Sequence, residues 1–423
     1  MKKKYLFFFL IILFVSYSFY IPRPQKIYLG SKISNYIPNS IYQSLKFIFD
    51  FNRSVKKISN DYNVAFIPNT QYEKIDFKEV NLKFLKEAEG GYLETKKSLR
   101  KTFFLEIFQR DLYILSNDGH IYFSNIRDIL NKKNNFIEIK SNLNSIIEKQ
   151  YTFEKILDFE IYENKIYVSK VIRDKNCFYM LVDFAILNQQ FLSFKNIFST
   201  INIECVEKSI QAGKIEILEN QILLTTGADI VKEKDESDSK PQDNTSVYGK
   251  LLSINLENNS FEIFNKGHRN SLGLLVDQNL ILSTENGPRG GDEINIELKG
   301  ENYGWDQASY GEKYSYQFAY SDHEKSGYKE PLFVFIPSIG ISEIIKLENS
   351  FSDKWENNYL IGSLRGNHLL RVKLNNKASK VLFVERIYIG DSIRDLVYDN
   401  ESKTVFLALE NSGSLGLLKK MIN

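Results

Sequence analysis

One pattern recurs six times along this chain, and it limits the folds open to it. An apolar run of strand length meets a polar turn and gives way to a second apolar run. The first copy passes from Phe103–Phe108 through Gln109-Arg110-Asp111 into Leu112–Leu115, then through Asn117-Asp118-Gly119 into His120–Phe123. Asn-Asp-Gly between apolar runs marks a hairpin, because these residues accept the positive φ of a tight turn. The later copies are Phe159–Lys170, Ile215–Thr226, Leu272–Thr284, Asp353–Leu364 and Arg394–Glu410. Corresponding residues Leu112, Ile166, Ile222, Leu280, Leu360 and Val405 lie 45–80 positions apart, most of them near the spacing of one propeller blade. A single unit exposes two sheet faces, and stacking units around an axis buries both. The pattern predicts an all-β fold, a six-bladed β-propeller over residues 96–423. A pair of β-sandwiches is the competing arrangement.

Composition agrees with strands and narrows the partners. Tyr, Phe, Ile and Leu dominate over Ala, and the 43% hydrophobic content is enough for a large core. A net charge of +2 over 423 residues argues against a nucleic-acid surface. Lys2-Lys3-Lys4 precede the uncharged stretch Tyr5–Tyr20, a positive region followed by an apolar one. That run is short for a membrane span of about 20 residues. Residues 1–20 read as a signal-anchor helix or a signal peptide. The rest would then be exported, held by the N-terminal helix on the outer, periplasmic face of a membrane or secreted, with the N-terminus cytoplasmic if uncleaved. Residues 21–95, with Pro22, Pro24 and the mixed stretch Ile41–Ile58, read as a connector that packs loosely on the propeller. The polar insertion Val231–Thr245 reads as a solvated, mobile loop. Cys177 and Cys205 read as free, core-packed thiols, with one disulfide as the alternative in an oxidising compartment.

The segment Gly267–Tyr310 departs from the strand pattern. Gly287-Pro288-Arg289-Gly290-Gly291-Asp292-Glu293 interrupts strand and helix alike. Glycine loops let the backbone approach a ligand closely, and such loops carry function more often than stability. Arg269 and Asn270 stand together beside a loop glycine, which favours a site residue over a salt bridge to a neighbouring blade. Asp292 and Glu293 are metal ligands by residue type, and equally candidates to cap backbone amides of the loop.

The stretches GHRN-x-x-GL, ENGPRGGDEIN, GENYGW and SYG, in that order, resemble the core signature of the glucose/sorbosone dehydrogenase family. Tyr248–Leu256, the later YLIGSLRGNHLLRVKL and SIRDL fit as well, so the resemblance covers roughly residues 100–420. It implies a six-bladed propeller that oxidises aldose sugars with pyrroloquinoline quinone (PQQ) and Ca²⁺. It places Arg269 and Asn270 at the reacting carbonyl, Arg365 and Arg394 on the cofactor, and the carbonyls of Gly287 and Pro288 on the metal, hard ligands suited to Ca²⁺. Which sugar and which electron acceptor it leaves open.

The departures are specific. The family's base histidine precedes a strand start that is here Ala212-Gly213-Lys214-Ile215, and its position holds Ile210. Isoleucine accepts no proton, so no catalytic base is assigned. The aspartate that would orient the base falls on Ala228, with Asp229 one residue later. Leu272 replaces a glutamine, Arg365 a lysine, and Ser392 the first of two arginines. His323 or His368 could supply a substitute base, while His268 reads as a support of its own turn. Three functions are open: a PQQ-dependent sugar dehydrogenase, a non-catalytic propeller of the same family that binds a ligand or protein partner at the membrane surface, or a wholly structural or scaffolding domain held at the membrane.

Overall fold

The computed structural model describes residues 73–90, 98–133, 135–145, 150–207, 210–228, 240–312, 323–348 and 350–421. Six sheets dominate, each of four antiparallel strands, the first extended by a parallel fifth. Their first strands are Phe103–Phe108, Thr152–Tyr162, Ala212–Leu218, Ser271–Asp277, Ile341–Lys346 and Ile393–Asp399. Each of these packs beside the next, and the last packs beside the first, so they close a ring around an axis. The fold is the six-bladed propeller expected, and the blades are numbered 1 to 6 in that order. Leu112, Ile166, Ile222, Leu280, Leu360 and Val405 all lie in the second strand of their blade.

Two local expectations need correction. The hairpin expected over Asp353–Leu364 is not one. Asp353–Trp355 forms a single 3-10 turn, and the first strand of blade 5 is Ile341–Lys346. Trp355 causes this: it is buried, stacked on Phe351 and covered by the Arg371 guanidinium, which pins the turn inside the blade. The second correction concerns the connector. Ile75–Asn81 pairs along its whole length with Ser414–Lys420 and forms the outer strand of blade 6. The propeller therefore begins before residue 96 and closes with a sheet made from both ends of the described chain. As a half-exposed edge strand, Ile75–Asn81 buries only part of its length, which is why its sequence looks weakly patterned. The proposed N-terminal helix and the stretch Ile41–Ile58 lie outside the described residues. Among the described residues no helix is long and apolar enough to cross a membrane.

The cysteines also differ from expectation. Cys177 and Cys205 form a disulfide. Cys177 opens the third strand of blade 2, and the paired backbone of Phe178 and Val206 holds the two chain segments side by side. Lys240–Thr245, the described end of the polar insertion, is also tied down rather than free, with Pro241 buried and accepting from the Gly267 amide.

Charged side chains meet along the axis. Lys214 of blade 3 reaches Asp158 of blade 2 (2.5 Å), Glu343 of blade 5 and Asp395 of blade 6 (3.7 Å). Burial alone would lower the lysine's pKa, but these three carboxylates hold it well above the usual value. Glu106, Glu160 and Glu216 stand near the same cluster. Burial, then the Asp158 charge, pushes Glu160 up to about 8, and burial pushes Asp158 to about 6. These carboxylates favour folding most below their unfolded values and lose that contribution as pH rises through the folded values. His268, raised to about 10 against burial by Glu297 and Glu285, loses its contribution above about 6.5 in the same sense. Lys155, lowered to about 8 by burial and by Arg394, acts oppositely, but only above that pH. Thermal melts are therefore expected to show a lower Tm at pH 8 than at pH 6, with Glu160→Gln removing part of the drop. A flat or rising Tm over that interval would contradict the assignment.

Candidate functional site

The antiparallel order places one set of loops at one end of the propeller. First strands begin there and second strands end there. Arg269 and Asn270 precede the first strand of blade 4, Ile210 precedes that of blade 3, and Arg394 is the second residue of that of blade 6. Gly287 and Pro288 follow the second strand of blade 4, and Arg365 follows that of blade 5. All the residues singled out from sequence thus share a face.

Buried acids organise the blade 4 part of this face. Asp292 is fully buried. One of its oxygens accepts the Gly287 amide (3.0 Å) and the other the amides of Ile339, Gly340 and Ile341 (2.9, 2.7 and 3.1 Å). It is the amide cap of the glycine loop, one of the two roles open to it from sequence. The loop is closely folded: a Cβ on Gly287 would come within 2.3 Å of the carbonyl oxygens of Gly290 and Gly291. Arg365 is joined to the same assembly, its amide donating to Ile339 O (2.9 Å), while its side chain is exposed. Glu285 accepts the Arg269 amide (2.7 Å) and pairs with His268 Nδ1 (2.8 Å). His268 lies stacked on Tyr303 and near Glu297 (3.4 Å), so it supports its own turn.

The Arg269 side chain donates to Asn286 O (2.7 Å), and its guanidinium lies 5.3 Å from the Trp305 ring centre. Beside it, Asn270 is buried, and its Oδ1 has no hydrogen-bond partner. A small pocket next to Arg269 is lined by Glu285, Gly287, Glu293, Trp305, Ser309 and His323. Burial, then the Glu285 charge, holds the Glu293 carboxyl well above the usual carboxylate range. His323 stacks on Tyr310 and stands 4.0 Å from Glu293. His368 instead bonds the Gly366 carbonyl and packs against Tyr388, away from this pocket. On blade 6, Arg394 donates to Glu410 (2.5 Å), which also takes Arg100 (3.0 Å). Two guanidiniums on one buried carboxylate leave a surplus positive charge at this end of the axis. Among the described residues, no group of three His, Cys, Asp or Glu side chains stands close enough to hold a metal ion.

The model of the glucose/sorbosone dehydrogenases matches residues 158–418, well over half the chain. The chain belongs to that family. It is 32% identical over 160 residues to the aldose sugar dehydrogenase YliI of Escherichia coli, a match covering 36% of this chain and 43% of that protein. The chain thus spans less than half the length of the curated relatives it matches first. The fold likeness reaches further. The soluble aldose sugar dehydrogenase of E. coli in its apo-form superposes with a TM-score of 0.66 at 19% identity, over 83% of this chain and all of that one. The PQQ-bound aldose sugar dehydrogenase of Streptomyces coelicolor gives 0.55 at 16%, over 82% and 99%.

Within the family framework, the changed positions are built into the structure. Ile210 is 1% exposed and belongs to an apolar cluster with Leu157, Val206, Ile215 and Tyr248. Ala228 is equally buried, and its amide donates to Arg269 O (2.8 Å). Ser392 is buried and links two loops, donating to Leu364 O (2.6 Å) and accepting from Asn411 (3.0 Å). Asp229 lies outside the described residues. Sequence reasoning missed Lys155, which stands near Arg394, and the Lys214 cluster. A charge inside a first strand, where a blade should be apolar, was the available signal.

Proposed function

We propose that the Arg269–Asn270 face binds an anionic quinone of the PQQ type together with a sugar. We further propose that oxidation there runs without the family's histidine, the hydroxyl proton passing to water. The observation that carries this is the contrast between a retained donor wall and the apolar burial of Ile210. Arg269, Asn270, Arg365 and Arg394 would hold the cofactor, and the carbonyls of Gly287 and Pro288 would hold a Ca²⁺ ion. Two features support the fit. The Asn270 Oδ1 without a partner is a buried acceptor whose cost, about 1–3 kcal/mol, a donor on the ligand such as a sugar hydroxyl can relieve. The Arg394–Arg100 pair on Glu410 leaves positive charge for an anion.

When bound, PQQ supplies the hydride acceptor for a sugar carbon bearing a hydroxyl. The chain's own share is positioning and charge. Arg269, fixed by Asn286 and Trp305, and Asn270 beside it orient the ligand and stabilise negative charge on its oxygen. Position 210 neither takes nor orients a proton. A missing general base typically costs about 10²–10⁴ in rate. Ile210 therefore also favours the second reading, a propeller that binds the ligand or a partner and turns nothing over.

Purified protein with PQQ and Ca²⁺ tests both, by cofactor binding and by dye reduction with a panel of aldoses. Binding with turnover at least about a hundredfold below that of a histidine-bearing relative is expected. Binding with no turnover selects the second reading, and no binding removes the first. Export is part of the proposal, supported by the Lys2–Lys4 and Tyr5–Tyr20 pattern and by a disulfide suited to oxidising compartments.

A further inference from the structure

The disulfide and the site wall are joined by a continuous chain of contacts. Cys205 is bonded to Cys177, and neither is fully buried. Its neighbour Glu204 accepts from Lys240 Nζ, from Ser246 Oγ (2.5 Å) and from the Val247 amide (3.2 Å). One carboxylate thus holds both ends of the loop 240–247. Inside that loop, Gln242 donates to Trp305 O (2.6 Å) and exchanges hydrogen bonds with Asn302 (3.2 and 2.7 Å). Pro241 O takes the amide of Gly267, two residues before Arg269. Trp305 carries the ring that faces the Arg269 guanidinium.

We infer that the Cys177–Cys205 disulfide positions Arg269 through Glu204, the 240–247 loop and Trp305, so that the site wall is redox-sensitive. This rests on the reading of Arg269 as a ligand contact. A dithiol reductant breaks the Sγ–Sγ bond by exchange. Two electrons and two protons pass to the cysteines as two thiols, and the reductant closes to its own disulfide. Residues 200–206 then keep the Thr200 amide on Met180 O, the turn bonds onto Thr200 O, the two backbone bonds between Phe178 and Val206 and the side-chain contacts around them, without the covalent tie at Cys205. Glu204 is then held by its amide bond to Thr200 O without the covalently anchored neighbour, and the loop it holds loosens. Glu204 and Gln242 are positioning residues here, since neither touches the face that would meet a ligand.

Spatial continuity alone does not demonstrate coupling, so the test reads each end of the relay separately. Amide hydrogen exchange is compared for the full chain oxidised, after dithiothreitol, and as Glu204→Ala with the disulfide intact. Exchange is expected to quicken by about tenfold or more in residues 240–247 and 302–307, with Asn358–Ser363 of blade 5 unchanged. PQQ affinity is expected to fall in the same samples. Unchanged exchange in 240–247, or an equal rise in every blade of the Glu204→Ala protein, overturns the relay. Unfolding of the whole chain on reduction also overturns the relay, because the disulfide then holds the fold as a whole and not the site wall in particular. The exchange readout needs no cofactor. If PQQ fails to bind even the oxidised form, the proposed function fails while the relay is still decided.

Discussion

Lys214→Met is expected to cost about 3–5 kcal/mol of folding stability at pH 7, the range for removing one partner of a buried ion pair. The lysine is the cation that Asp158, Glu343 and Asp395 share at the axis, and those groups come from three other blades. Two of them have structural work of their own. Asp158 accepts the Ile215 amide (2.8 Å), and Asp395 accepts the Leu105 amide (2.7 Å). Without the lysine these carboxylates stay buried next to one another with no counter-charge. They can escape only by taking up protons. The loss should therefore be smaller at pH 5, where protonation is easier, than at pH 7. Chemical denaturation at the two pH values measures this. A loss within about 1 kcal/mol at pH 7 would show that water, not Lys214, neutralises the axis.

Asp292→Ala is expected to act at the site as well as on the fold. Four backbone amides lose their acceptor together, and a buried unsatisfied donor costs about 1–3 kcal/mol each before relaxation. A total loss of roughly 4 kcal/mol or more is expected, because three of the amides are buried and the glycine loop has little room to turn them elsewhere. Asp292→Asn should lose less, since the amide oxygen still accepts on one side while its NH₂ faces amide donors on the other. The variants should also differ in ligand binding, because the Gly287 amide is among those released. Equal stability of Asp292→Ala and the parent protein would remove the capping role and return Asp292 to the set of candidate ligands.

The fold was legible because a blade writes its own period. Turn residues and apolar runs repeat locally, and all six marker residues fall in second strands. The strand Ile75–Asn81 was not legible, since its partner Ser414–Lys420 lies at the far end of the described chain and no local pattern records such a pairing. The same holds for the disulfide, whose two cysteines are brought together by the Phe178–Val206 bridge and not by their spacing. In the site, glycine, proline and paired polar residues announced the wall. The roles of Asp292 and Glu293 could not be read there. Both are acids in one loop, and only their neighbours separate an amide cap from a carboxyl that burial and Glu285 hold well above the usual range. Lys214 left only a faint signal, because its partners come from other blades.

The central claim is that the donor wall of blade 4 is a working ligand site although position 210 has left the chemistry. Calorimetric titration of PQQ with Ca²⁺ into the parent protein and into Arg269→Met tests it most directly. Measurable binding to the parent is expected, weakened at least about tenfold in Arg269→Met, as befits loss of a charge-assisted contact. The fold should stay intact, because the Arg269 backbone bonds to Glu285 and Ala228 remain. No binding to the parent, or equal binding to both proteins, would contradict the account.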